Sequence, residues 1–189
     1  MHGLINRSLQ CFLRDTYGAS CWAAVAEAAA LDPAGFEAML RYDDAVTEAV
    51  LDAAASRLGK PRAALLEDWG MFLASLEPLR RLLRFGGVGY VDFLHSLDEL
   101  PERARLAVPD LDMPDLTLSP RGADRFALAC RAGKPGFAAV FAGILRAMAD
   151  DYGALVLIDP GPGEEVQIEL LQTRYSAGRG FDLARPEVA

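Results

Sequence analysis

Apolar residues recur at helical spacing through the first half of the chain. Ile5, Leu9, Phe12 and Leu13 fall at i, i+4, i+7 and i+8, which predicts a helix that stops near Tyr17-Gly18. Trp22, Val25, Ala26 and Ala29 repeat the spacing in a second helix ending before Asp32-Pro33, since a proline disfavours a helical residue ahead of it. A third helix carries Val46, Val50, Ala54 and Leu58 inward and stops at Gly59. Pro61 then suits the first position of a fourth, with Leu65, Trp69, Phe72, Leu73 and Leu76 on its apolar face. Gly86-Gly87 breaks the chain. A helix through Val91, Leu94, Leu97 and Leu100 follows, interrupted or restarted at Pro101, and Pro109 and Pro114 close this helical region.

Beyond residue 120 the period changes. Phe126, Leu128 and Cys130 alternate with Ala127, Ala129 and Arg131, the period of a strand. A long helix from about Gly136 to Tyr152 precedes two strand-like runs, Ala154 to Ile158 and Val166 to Leu171, joined by the turn Pro160-Gly161-Pro162-Gly163. Consecutive late strands across a short turn read as an antiparallel hairpin. The expected class is α+β: one domain over 1–189, with a helical lobe over 1–60 and a mixed lobe over 61–189 that holds a helix-covered antiparallel sheet.

Composition narrows the function classes. The chain has 189 residues, 52% of them hydrophobic and 24% charged, which is globular composition. Its 19 Lys+Arg against 27 Asp+Glu give a net charge of −8. An acidic chain lacks the basic face that nucleic acid or an anionic membrane surface requires, so neither is an expected partner. No run approaches the roughly 18 to 20 apolar residues of a membrane span. Asn6 and Arg7 interrupt what would be the apolar part of a signal peptide, so a cytoplasmic location is expected. Cys11, Cys21 and Cys130 show no paired spacing for a disulfide framework or a zinc site and read as small buried residues.

Catalytic patterns are sparse. His2 and His95 stand in neither a HExxH nor a GxSxG context. Phe85-Gly86-Gly87-Val88-Gly89 lacks the lysine and spacing of a phosphate loop and reads as an interhelical turn. Asp98, Glu99, Glu102, Asp110, Asp112 and Asp115, interleaved with Arg103 and Arg105, read as a solvated charged face rather than a metal cluster. No nucleophile–base pair is visible, and no enzymatic activity is expected.

Several segments, in order, resemble a known family. Met1-His2-Gly3-Leu4-Ile5-Asn6, then Tyr17-Gly18 and Trp22, Tyr42-Asp43-Asp44, Leu83-Arg84-Phe85-Gly86-Gly87 and Asp92-Phe93-Leu94-His95-Ser96-Leu97-Asp98-Glu99-Leu100 are similar to the heme nitric-oxide/oxygen-binding (H-NOX) family. That family includes the regulatory domain of soluble guanylate cyclase. Val108-Pro109-Asp110-Leu111 resembles its Tyr-Pro-Gly-Met segment, and Gly136-Phe137 with the helix to Gly153 resembles the helix after its Tyr-x-Ser-x-Arg motif. The resemblance implies a helical lobe, an antiparallel sheet and a heme pocket. By it, Ile5 and Leu9 match positions on the distal heme face and Pro109 matches the proline that presses on the porphyrin.

The heme ligands depart from the family pattern. The position of the iron-ligating histidine, after Leu97-Asp98-Glu99-Leu100, is Pro101, which has no ligand atom. His95 lies six residues earlier, about 240° around a regular helix, and reads as exposed or capping. The Tyr-x-Ser-x-Arg positions, which hold the heme propionates, are here Cys130-Arg131-Ala132-Gly133-Lys134. Cys130 and Ala132 have lost the two hydroxyls, while Lys134, with Arg131 nearby, keeps a cation for a carboxylate. Tyr175-Ser176-Ala177-Gly178-Arg179 has the wrong spacing and place.

The expectation is therefore a non-enzymatic regulator on this scaffold, without a cofactor, docking on a signalling partner such as a cyclase, a cyclic-dinucleotide enzyme or a histidine kinase. The alternatives are a heme gas sensor with an unusual ligand, His2 or Cys130, and a binder of another apolar small molecule with Lys134 or Arg131 at its carboxylate. An emptied heme pocket needs filling. Phe137, Phe141, Met148, Trp69 and Phe72 are the candidates.

Overall fold

The computed structural model describes residues 1–131 and 135–180. Helix α1 (Gly3–Tyr17) buries Leu9, Phe12 and Leu13, the predicted stripe. It is capped by His2, whose Nδ1 accepts the Leu4 amide at 3.2 Å, and ends at Gly18 with φ 93°. Helix α2 (Ala19–Ala28) and helix α3 (Asp44–Leu58) follow, the latter capped by Asp43 and stopped by a left-handed Gly59.

Helix α4 (Arg62–Ser75) starts one residue later than expected, with Pro61 as its cap. Leu76 is extended, and the chain turns into a separate helix α5 (Glu77–Arg84), with Pro78 in its first turn. The fourth apolar stripe therefore keeps Leu65, Trp69, Phe72 and Leu73 on α4 and leaves Leu76 at the junction. Helix α6 (Tyr90–His95), a 3₁₀ turn (Ser96–Glu99) and helix α7 (Leu100–Ala107) form the interrupted segment expected around Pro101.

The sheet has a strand absent from the expected elements. Strand β1 (Asp115–Pro120) lies between Pro114 and Pro120, where the sequence reads as the close of a helical region. Prolines that exclude a helix are compatible with an edge strand, and β1 is one. It pairs antiparallel with strand β2 (Arg125–Arg131), Leu116 opposite Cys130 and Leu118 opposite Leu128. Its outer edge is partly closed where Asp98 Oδ1 accepts the Leu118 amide at 2.7 Å. The order is β1-β2-β4-β3, all antiparallel, with strand β3 (Leu155–Pro160) and strand β4 (Glu165–Gln172) forming the predicted hairpin.

Helix α8 (Phe137–Tyr152) lies between the sheet and α4. A Cβ at Gly70 of α4 would meet the Val140 carbonyl, and one at Gly143 of α8 would meet the Glu67 carbonyl. The absence of both lets the two backbones touch. The far end of α8 is held by an ion pair between Arg80 and Asp151, 4% and 6% exposed, with Nε to Oδ1 at 2.7 Å. After β4 the chain folds back here: Tyr175 N donates to Gly153 O at 2.7 Å, Arg179 N to Asp151 O at 2.9 Å, and Arg80 Nη2 to Gly180 O at 3.0 Å.

Candidate functional site

The residues singled out in the sequence do not converge on one point. Ile5, half-buried on α1, lines a crevice of about 40 Å³ between α1, α3, α4 and the start of α8. Leu9, one turn on, is fully buried in the core. Pro109 is exposed in the turn after α7. Pro101 is buried in the first turn of α7. Lys134 and Ala132 lie outside the described residues.

Cys130 is fully buried on β2. Burial, and then the nearby Glu164 charge, push its thiol up to about 12, so the thiol stays protonated at neutral pH. His95 is exposed, with its ring edge-on to Phe126. His2 is buried: its Nδ1 caps α1 and its backbone amide donates to Asp112 Oδ2 at 2.6 Å. Arg131 is exposed at the end of β2.

Side chains fill the crevice walls. Phe137, Trp69, Leu51, Leu66 and Val140 all line it, so two of the expected fillers, Phe137 and Trp69, stand at Ile5. Phe141 and Met148 are buried elsewhere in the core, and Phe72 packs against Phe12. Trp69 is 6% exposed, and its Nε1 has no hydrogen-bond partner among the described residues. Beside the crevice runs a groove of about 620 Å³, with Pro61, Ala138, Ala139, Ala142 and Val166 in its walls.

Sequence reasoning passed over one polar residue and misread the role of another, a member of the acidic run expected to be a solvated face. Glu164, in the β3–β4 turn, accepts the Gly136 amide on Oε1 at 2.9 Å and the Ala138 amide on Oε2 at 3.0 Å. Its carboxylate thus occupies the positive end of α8, directly after the segment expected to meet an external carboxylate. Nothing local in Gly163-Glu164-Glu165 marks this, because the contact spans 28 residues. Asp112 is the second. It binds the His2 amide and, through Oδ1, Arg41 Nη2 at 2.9 Å, so this member of the acidic run joins the 110–112 turn to the N-terminal segment. Among the described residues no group of three His, Cys, Asp or Glu side chains is placed to hold a metal ion.

The Haem-NO-binding (HNOB) family model matches residues 2–159. The chain belongs to that family. Its fold agrees with solved H-NOX domains. A Cs H-NOX variant carrying 4-cyano-L-phenylalanine superposes with TM-score 0.76 at 16% identity, covering 94% of this chain and all of that one. A mutant H-NOX of T. tengcongensis does so with TM-score 0.73 at 16% identity, covering 92% and 99%. Among curated proteins, soluble guanylate cyclase gcy-31 of Caenorhabditis elegans is 24% identical over 179 residues, 93% of this chain. Soluble guanylate cyclase 89Db of Drosophila melanogaster is 21% identical over 158 residues, 82% of this chain. This H-NOX domain spans about a quarter of each cyclase, 24% in both cases. It is thus a member of a heme-based gas-sensor family with regulatory roles. Among the described residues no helix is long and apolar enough to cross a membrane.

Proposed function

We propose that this H-NOX domain is a non-enzymatic regulatory module that works without a histidine-ligated heme and acts by docking on a signalling partner. What supports the reading is Pro101, buried in the first turn of α7, which by the family resemblance stands where an iron-ligating histidine is expected. The other donors do not fit a heme. His2 is committed to the α1 cap, His95 is exposed, and the Cys130 thiol keeps its proton. The crevice beside Ile5 holds about 40 Å³, far below a porphyrin. The partner class, a cyclase, a cyclic-dinucleotide enzyme or a histidine kinase, rests on family membership and on the two cyclase relatives.

The absorption spectrum of the chain expressed with heme precursor tests this. A protein without a porphyrin band, before and after incubation with hemin, is the expected result. A ferrous band that shifts with carbon monoxide overturns it.

A further inference from the structure

An open four-stranded sheet has two outer edges, and each leaves backbone groups without a neighbouring strand. On β1 the edge is met by an acceptor, Asp98 Oδ1 on the Leu118 amide at 2.7 Å. The β3 edge is met by a donor. Arg146, on α8 shortly after Gly143, sends Nη2 to Ile158 O at 2.5 Å and pairs through Nη1 with Glu67 of α4. The Glu67 carbonyl is the one that a Cβ at Gly143 would meet, so this ion pair is braced on the α4–α8 contact.

The alternation of hydrogen bonds shows what the β3 edge offers. Leu170 N donates to Asp124 O and Gly161 N donates to Glu165 O, so on β4 the even-numbered residues bond towards β2 and the odd-numbered ones towards β3. Leu157 and Asp159, opposite Glu169 and Gln167, therefore bond β4, whereas Val156 and Ile158 turn their N–H and C=O groups outward. Arg146 takes one of these groups, the Ile158 carbonyl, and Ile158 beneath it is 4% exposed. Next to it Leu157 is 50% exposed, on the face that it shares with Ala127, Gln167 and Glu169.

This edge is self-complementary. A second copy turned end for end about Leu157 sets Val156 opposite Ile158 of the other strand twice over, and each pair exchanges both of its backbone bonds. The two Leu157 side chains then cover one another, and Asp159 falls opposite Leu155, so no like charges meet. Strand β3 carries no lysine or arginine that would repel such a copy. The obstacle is Arg146, which stands on the carbonyl that the Val156 N–H of the second copy needs.

We propose that the β3 edge is a docking surface for a second copy of this domain, joined to it antiparallel strand to strand, and that Arg146, held by Glu67, is the latch that keeps the edge closed. A two-fold pairing of this kind uses up both β3 edges and stops at the dimer.

The test is sedimentation of the full chain at rising concentration. The native protein is expected to stay monomeric, whereas Arg146→Met, which keeps the apolar stem and removes the donors, should dimerise at least tenfold more tightly. Glu67→Gln loosens the latch from α4 alone; it should move the same way by a smaller factor, and it decides where Arg146→Met perturbs folding. Adding Leu157→Lys to either variant should return it to monomer, because two lysines would face each other across the pair. In the dimer the Val156 and Ile158 amides should gain protection from hydrogen exchange while the Leu118 amide is unchanged. Variants that sediment as the native protein does, a dimer that survives Leu157→Lys, or Val156 and Ile158 amides without added protection overturn the docking surface. A native protein that already dimerises as tightly as Arg146→Met overturns the latch.

Discussion

A single sulfur atom reports on how tightly the sheet packs against α8. Cys130 lies at the motif position where the family resemblance implies a tyrosine hydroxyl, and it is fully buried instead. Its thiol holds a proton to about 12 where the unfolded chain releases it from its ordinary 9.0. The folded-state value is raised, so the stabilisation is complete below pH 9.0 and is lost as pH climbs towards 12. Burial pushes the Tyr90 phenol upward as well, which adds to the alkaline loss. Denaturant unfolding under reducing conditions should show about 1 to 1.5 kcal/mol less stability at pH 10 than at pH 8. Cys130→Ala should flatten part of that slope. In the native protein at pH 8, iodoacetamide should modify the half-exposed Cys11 and spare Cys130; rapid labelling of Cys130 would contradict its burial.

At the level of elements, the long helices and the β3–β4 hairpin were legible because their apolar period and their stop residues agree. Gly18 and Gly59 end helices where the pattern stops, and the Gly/Pro turn joins strands where it alternates. The pattern failed where one chemistry served two states. Pro114 and Pro120 exclude a helix without announcing an edge strand, and Leu76 bends the chain without any glycine or proline of its own. Gly70 and Gly143 were not legible either, because their reason is a helix 70 residues away. Gly143→Ala should force α4 and α8 apart and cost about 1 to 3 kcal/mol, measured by urea unfolding. Gly163, whose added Cβ would meet nothing within 4 Å, tests backbone strain without crowding, and its alanine variant should cost less than Gly143→Ala.

For the molecule as a whole, family and fold could be read from the order of short motifs, whereas the state of the pocket could not. Pro101 stands, by the family resemblance, where a ligating histidine is expected. Only coordinates bring Trp69 and Phe137 to Ile5, and only they set Glu164 on the start of α8. The Arg80–Asp151 pair is likewise global, joining α5, α8 and the segment after β4 across 71 residues. Asp151→Leu would take the buried carboxylate from the Arg80 guanidinium, which keeps Glu77 and Gly180 O, and should cost about 3 kcal/mol. It should also speed proteolysis within residues 173–180 while sparing β4. Unchanged cleavage there would mean that the fold-back is held by its backbone bonds alone.

The contact between α4 and α8 has a mechanical consequence. Two helices that meet backbone to backbone have no layer of side chains to slide upon, so they travel as one rigid lever. Trp69 stands beside the Gly70 contact in the middle of α4, so a shift there moves α8 as well, and with it Asp151, which Arg80 of α5 holds.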